Sequence, residues 1–149
     1  KNPNIKLHMI GALQKNKVKF AVKLFDYIHS VDSEKLAKKI SEEQLKIQKK
    51  IGIFIQVNIG DENQKSGINK NELTSLVNYC KKINLNVIGL MCIPPAKLNS
   101  EIYFNEMNKI NDSYKFSELS MGMSSDYLEA SQNNATFLRI GSSIFGQRY

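Results

Sequence analysis

LSMGMSSD (Leu119 to Asp126) and TFLRIGSSIFG (Thr136 to Gly146) are the stretches whose reading decides how this chain folds. The first closes one βα unit by running from an apolar strand into a hydroxyl-rich turn. The second supplies the next strand and its own small, glycine-containing loop. In a βα barrel the loops after the last two strands are the usual phosphate site, because backbone N–H groups converge there with a helix N-terminus. Arg139 stands just before the second loop. The pattern points to a phosphorylated ligand held by main chain and hydroxyls, with one fixed cation beside it.

Working outward, short apolar and β-branched runs recur at 5–11, 26–32, 51–59, 86–94, 116–122 and 136–141. Several are apolar almost throughout, as strands covered on both faces are. Helical patterns separate them: Val18, Ala21, Val22 and Phe25 form an i, i+3, i+4, i+7 stripe, and so do Leu73, Leu76, Val77 and Cys80. Asn69 and Glu72 have capping-box spacing, and Asp32 or Ser33 and Ser100 are suited to cap the next helices. Strand and helix alternate through short connections, which calls for a parallel sheet with helices outside and right-handed crossovers. Six βα units fall short of a closed eight-stranded barrel of about 250 residues. An open doubly wound sheet and the C-terminal three-quarters of a barrel, with its first strands absent, both satisfy that count.

Composition narrows the function classes. The chain has 149 residues and 42% hydrophobic content, enough for one core, and no linker divides it, so residues 1–149 read as a single domain. The net charge of +7 comes from lysines scattered along the chain, at most two in a row, and Arg139 and Arg148 are the only arginines. Nucleic-acid binding calls for clustered basic residues interleaved with aromatics, so no nucleic-acid partner is expected. Cys80 and Cys92 lack metal-type spacing and fall on apolar positions, which suits small buried hydrophobes in a reduced, cytoplasmic protein. No apolar run approaches a membrane span of about 18 residues. No metal and no membrane partner is expected.

Six ordered blocks carry a resemblance: LHMIGALQKNK (7–17), SVDSEKLA (30–37), QVNIGDENQKSGI (56–68), GLMCIPP (89–95), LSMGMSSDYLEA (119–130) and RIGSSIFGQRY (139–149). Together they resemble the pyridoxal-phosphate homeostasis protein family, whose members are similar to the N-terminal barrel of alanine racemase. The resemblance implies a (β/α)8 TIM-barrel type fold, here incomplete, with pyridoxal 5′-phosphate (PLP) at the C-terminal ends of the strands. It assigns the phosphate to Ser120, Met123 and Ser124 in the first loop and to Gly141 and Ser142 in the second. It assigns Arg139 to the pyridine nitrogen. Glycine at 122 and 141 lets main chain come close to such a group. The lysine that holds the cofactor covalently in the family has no match here, since Lys15 and Lys17 fall at a helix start and Lys65 in the DENQKSG loop. The expectation is therefore a non-catalytic PLP carrier. A PLP-dependent racemase-like enzyme and a barrel enzyme acting on phosphorylated metabolites are the alternatives.

The remaining candidates have plainer readings beside their functional ones. His8 reads as a hydrogen-bonded strand histidine more than as an acid or base, because no nucleophile stands near it in sequence. Asn58 and Met91 lie near strand ends that face the expected mouth, where packing explains them as well as ligand contact does. Ser66 and Gly67 read as a turn. The edges of an incomplete barrel are expected to favour homo-oligomers.

Overall fold

In the computed structural model, which describes residues 4–63, 66–96 and 98–146, the apolar runs become six parallel strands in one sheet, in simple sequence order. They are β1 (His8–Met9), β2 (Tyr27–Val31), β3 (Gly52–Val57), β4 (Val87–Cys92), β5 (Glu118–Met123) and β6 (Phe137–Arg139). Between and after them lie α1 (Val18–Leu24), α2 (Glu34–Lys46), α3 (Lys70–Lys82), α4 (Ser100–Ser113), α5 (Tyr127–Gln132) and the short α6 (Ser142–Phe145). Each strand pairs with the next in parallel register, for example Ile55 with Leu90 and Leu90 with Leu119. Of the two arrangements open to the sequence, the sheet takes the barrel one. An order that never reverses has no switch point of the doubly wound kind.

Two side-chain sets divide the sheet. Ile28, Ile53, Ile55, Leu90, Cys92, Leu119 and Met121 pack with Leu36, Ile40, Leu73, Val77, Phe104 and Met107 of the helices in one buried core. Full burial of each large aliphatic side chain contributes roughly 1.5–3 kcal/mol, so this layer is the main source of stability. The alternate residues turn the other way. There Phe54 of β3 meets Phe137 of β6 with centroids 5.4 Å apart, although two strands separate them in the sheet. His8 on the first strand also comes within 5.4 Å of Phe137 on the last. Only a strongly curled sheet brings these pairs together, and the concave face is the barrel interior.

The sequence stripes hold: Val18, Ala21, Val22, Leu73, Leu76, Val77 and Cys80 are all buried, with Phe25 packed against them from the end of α1. Ser33 caps α2 by accepting from the Leu36 amide. Two expectations need correction. Asn99, not Ser100, caps α4, accepting from the Glu101 amide. Asn69 makes no cap bond; its amide nitrogen instead reaches the Glu72 carboxylate at 3.4 Å. The strand expected over 5–11 shrinks to two residues because β1 has a ladder partner on one side only. Apolar side chains stand exposed at both edges, Ile5 and Ile10 beside β1, and Leu138, Ile144 and Phe145 at β6 and α6. Among the described residues no helix is long and apolar enough to cross a membrane.

Candidate functional site

Arg139 ends β6 and points into the concave face, where two hydrogen bonds hold it. Its Nη1 donates to Ser120 Oγ at 2.7 Å and its Nη2 to the Cys92 carbonyl at 2.9 Å. No ion pair among the described residues includes it. Burial lowers its pKa from the usual value, opposed by Cys92 and Asp126. A half-buried guanidinium whose partners among the described residues are neutral is short of an anion.

Ser120 lies on β5 and not in the loop after it, and it is fully buried. Its place on the strand, where a loop position was expected, follows from alternation: Leu119 and Met121 join the helix-covered core while Ser120 turns inward and its hydroxyl faces Arg139. On its other side Ser120 Oγ meets His29 Nδ1 at 2.8 Å, and His29 Nε2 meets His8 Nδ1 at 2.9 Å. His29 stacks on Phe54 with centroids 4.2 Å apart, and His8 on Tyr27 at 4.3 Å. Burial, then His8, then Arg139 push the His29 pKa down to about 3, and burial lowers that of His8 against the pull of Asp26. His29 was legible only as one polar residue inside the run YIHSV, and nothing in sequence places it beside Ser120.

Beyond Arg139 the two C-terminal loops meet. Ser124 Oγ accepts from the Gly141 amide at 3.2 Å and from the Ser143 amide at 3.3 Å. The loops expected to cooperate therefore do converge. Ser143, which the sequence reading left out, supplies one of the two amides. Met123 closes β5 with its side chain exposed, and its amide donates to Asp126 Oδ1 at 2.7 Å. Ser142 opens α6 and is exposed. Apart from Gly141 itself and its chain neighbours, no atom of the described residues lies within 4 Å of where a Cβ there would stand, so the space over that backbone is open. Gly122 also has a packing task that the sequence does not show. A Cβ there would fall 2.5 Å from Ala130 Cβ, so its bare backbone serves the packing of β5 on α5.

Asn58 is buried and spends its side chain on its own loop, donating to the Glu62 carbonyl and accepting from the Glu62 amide. Met91 is fully buried. The chain bends at Gly67, and Ile68 then runs alongside β3, where it bridges Val57. Cys80 and Cys92 are free and buried, and burial raises the thiol pKa of each to about 12. Among the described residues no lysine lies on a strand, and no three His, Cys, Asp or Glu side chains gather into a group that could hold a metal ion. Lys65, and the end of the RIGSSIFGQRY block from residue 147 on, lie outside the described residues.

This architecture and these loops have relatives. The model of the alanine racemase N-terminal domain family matches residues 2–149. The pyridoxal phosphate homeostasis protein of Pasteurella multocida is 35% identical over 99% of this chain and 68% of its own length. That of Aquifex aeolicus is 36% identical over 99% of the chain and 69% of its own. PipY of Synechococcus elongatus, solved with PLP bound, superposes with a TM-score of 0.89 at 29% identity, over 97% of this chain and 72% of its own. The chain thus spans about two thirds of the length of these relatives.

Proposed function

The chain belongs to the alanine racemase N-terminal domain family, alongside the pyridoxal phosphate homeostasis proteins, and from that premise we propose that it binds PLP without turnover, as a cofactor carrier. One observation supports the reading most. The amides of Gly141 and Ser143 gather on a single oxygen, Ser124 Oγ, at the end of the strand that carries a half-buried arginine with no carboxylate partner among the described residues.

The donor set fits a phosphate ester. A dianion needs several N–H and O–H donors on rigid main chain, and Gly141 leaves room above its backbone for one. In this proposal Ser124, Gly141 and Ser142, with the Ser143 amide, hold the phosphate, the Gly141 and Ser143 amides exchanging their long bonds to Ser124 Oγ for the phosphate oxygens, and the Met123 side chain stands at the rim of that pocket. Ser120 acts one layer deeper by holding Arg139. When bound, PLP supplies an aldehyde and an electron-withdrawing pyridine ring. Arg139 keeps its own proton at any relevant pH, so it offers the ring nitrogen a hydrogen bond without acidifying it. A site built this way favours storing the cofactor over driving carbanion chemistry. The described lysines all stand off the strands, so the binding proposed for this chain is noncovalent.

Calorimetry on the purified chain tests the reading. PLP binds, while pyridoxal, which lacks the phosphate, binds far more weakly. Arg139→Gln removes a charge-assisted interaction and costs on the order of 1.5–3 kcal/mol, a tenfold to hundredfold loss of affinity. Equal affinities for PLP and pyridoxal, together with an unaffected variant, overturn the assignment.

A further inference from the structure

The interior holds a connected run of polar groups that ligand binding does not by itself account for. It passes from Arg139 on β6 to Ser120 on β5, across to His29 on β2 and on to His8 on β1, with separations of 2.7, 2.8 and 2.9 Å. We propose that Ser120, His29 and His8 are positioning residues: a one-way hydrogen-bond chain, each member donating to the next from β6 to β1, that locks both imidazoles in the Nε2–H tautomer and pins the Arg139 guanidinium.

The direction follows from what each group is able to do. A guanidinium only donates, so Ser120 Oγ accepts from Arg139. The hydroxyl hydrogen of Ser120 then needs an acceptor, and His29 Nδ1 is the ring nitrogen beside it. If His29 carried its hydrogen at Nδ1, the Ser120 hydroxyl would be a fully buried donor facing another donor, which native interiors avoid. His29 therefore carries hydrogen at Nε2 and donates it to His8 Nδ1, which leaves the His8 hydrogen at Nε2 as well. The hydrogen bond made at one ring nitrogen of an imidazole commonly decides in this way which nitrogen carries the hydrogen.

Packing makes the chain rigid. Phe54 stacks on His29 and Tyr27 on His8, with Phe137 against both imidazoles. With Nη1 on Ser120 and Nη2 on the Cys92 carbonyl, the guanidinium plane is fixed at two points, and its other N–H groups make no hydrogen bond among the described residues. Arg139 and any proton on His8 both disfavour a proton on His29, while Asp26 favours one on His8 against the effect of burial. Arg139 itself faces Cys92 and Asp126. A proton added at Nδ1 of either imidazole would break the chain at that link.

The consequence for ligand affinity rests on the PLP reading, whereas the hydrogen-bond chain itself does not. The test is nitrogen-15 NMR on the complete chain without ligand, which is simple to assign because the sequence has 2 histidines. Both imidazoles show the Nε2–H pattern, and His29 does not titrate between pH 7.5 and 5. The Arg139 Nη hydrogens give separate, slowly exchanging signals. These signals merge in His29→Phe, which keeps a stacking ring without the acceptor, and separate again in His29→Asn, whose side-chain oxygen replaces Nδ1. An Nδ1–H pattern at His29, a midpoint near 6.5 there, or Arg139 signals unchanged in His29→Phe overturns the proposal. The unmodified chain decides the tautomer even if a variant fails to fold. With PLP added, His29→Phe lowers affinity about tenfold and His29→Asn recovers most of it. Should the parent chain bind no PLP, the carrier reading fails while the ligand-free spectra still decide the hydrogen-bond chain.

Discussion

Burial, with His8 and Arg139 acting the same way, holds His29 at about 3, whereas a histidine in an unfolded chain titrates near 6.5. Between these values the unfolded state binds a proton that the folded state refuses, so stability is complete above pH 6.5 and falls as the pH drops through that window. The slope is up to about 1.4 kcal/mol per pH unit. Glu43, lowered to about 2 by hydrogen bonds from Lys39 and Lys46, adds to acid lability only below its ordinary value of 4.5. Urea denaturation at pH 7 and pH 5 therefore reads the histidines without the carboxylates. The expected result is a marked loss at pH 5 that is mostly absent in His29→Phe, and an equal loss in the variant would remove His29 as the cause. Single residues were only partly legible in the sequence. Arg139 and Ser124 follow from motif position, and His8 was rightly read as a hydrogen-bonded strand residue. Its partner His29 stayed hidden because the contact spans 21 residues in sequence, and the next link, to Ser120, spans 91.

The β5–α5 unit shows how tightly one element constrains its neighbour. Gly122 has a φ of +91°, and its missing side chain lets Ala130 and Leu138 close over it. Gly122→Ala combines an unfavourable backbone conformation with a clash, and is expected to cost about 2–4 kcal/mol in urea denaturation. A cost below about 0.5 kcal/mol would mean that the turn after β5 relaxes freely. The helices were the most legible elements, because their stripes at 3.6-residue spacing are set by the same apolar contacts that bury them, as in α3. Strand lengths were less so. TFLRIG reads as a six-residue run, yet β6 keeps only Phe137–Arg139, since ladder length depends on β5, the one partner it has. Helix caps were legible to within one residue, with Asn99 taking the place expected of Ser100.

At the scale of the whole molecule, the unreversed strand order is what makes one site possible. Each parallel strand delivers its C-terminal loop to the same end, so loops distant in sequence meet there, as Ser124 and Ser143 do. The curl of the sheet then brings β2, β4, β5 and β6 to bear on one guanidinium. Alternation of strand and helix made the parallel sheet legible in sequence. The choice between an open sheet and part of a barrel rested on the family resemblance, because curl comes from interior packing such as Phe54 on Phe137, which periodicity does not record. The most direct test of the account is a crystal structure of this chain grown with excess PLP. The account predicts the phosphate on the amides of Gly141 and Ser143, with the pyridine ring within hydrogen-bonding reach of Arg139. A phosphate bound away from these loops, or a saturated crystal with no PLP between them and Arg139, would contradict it.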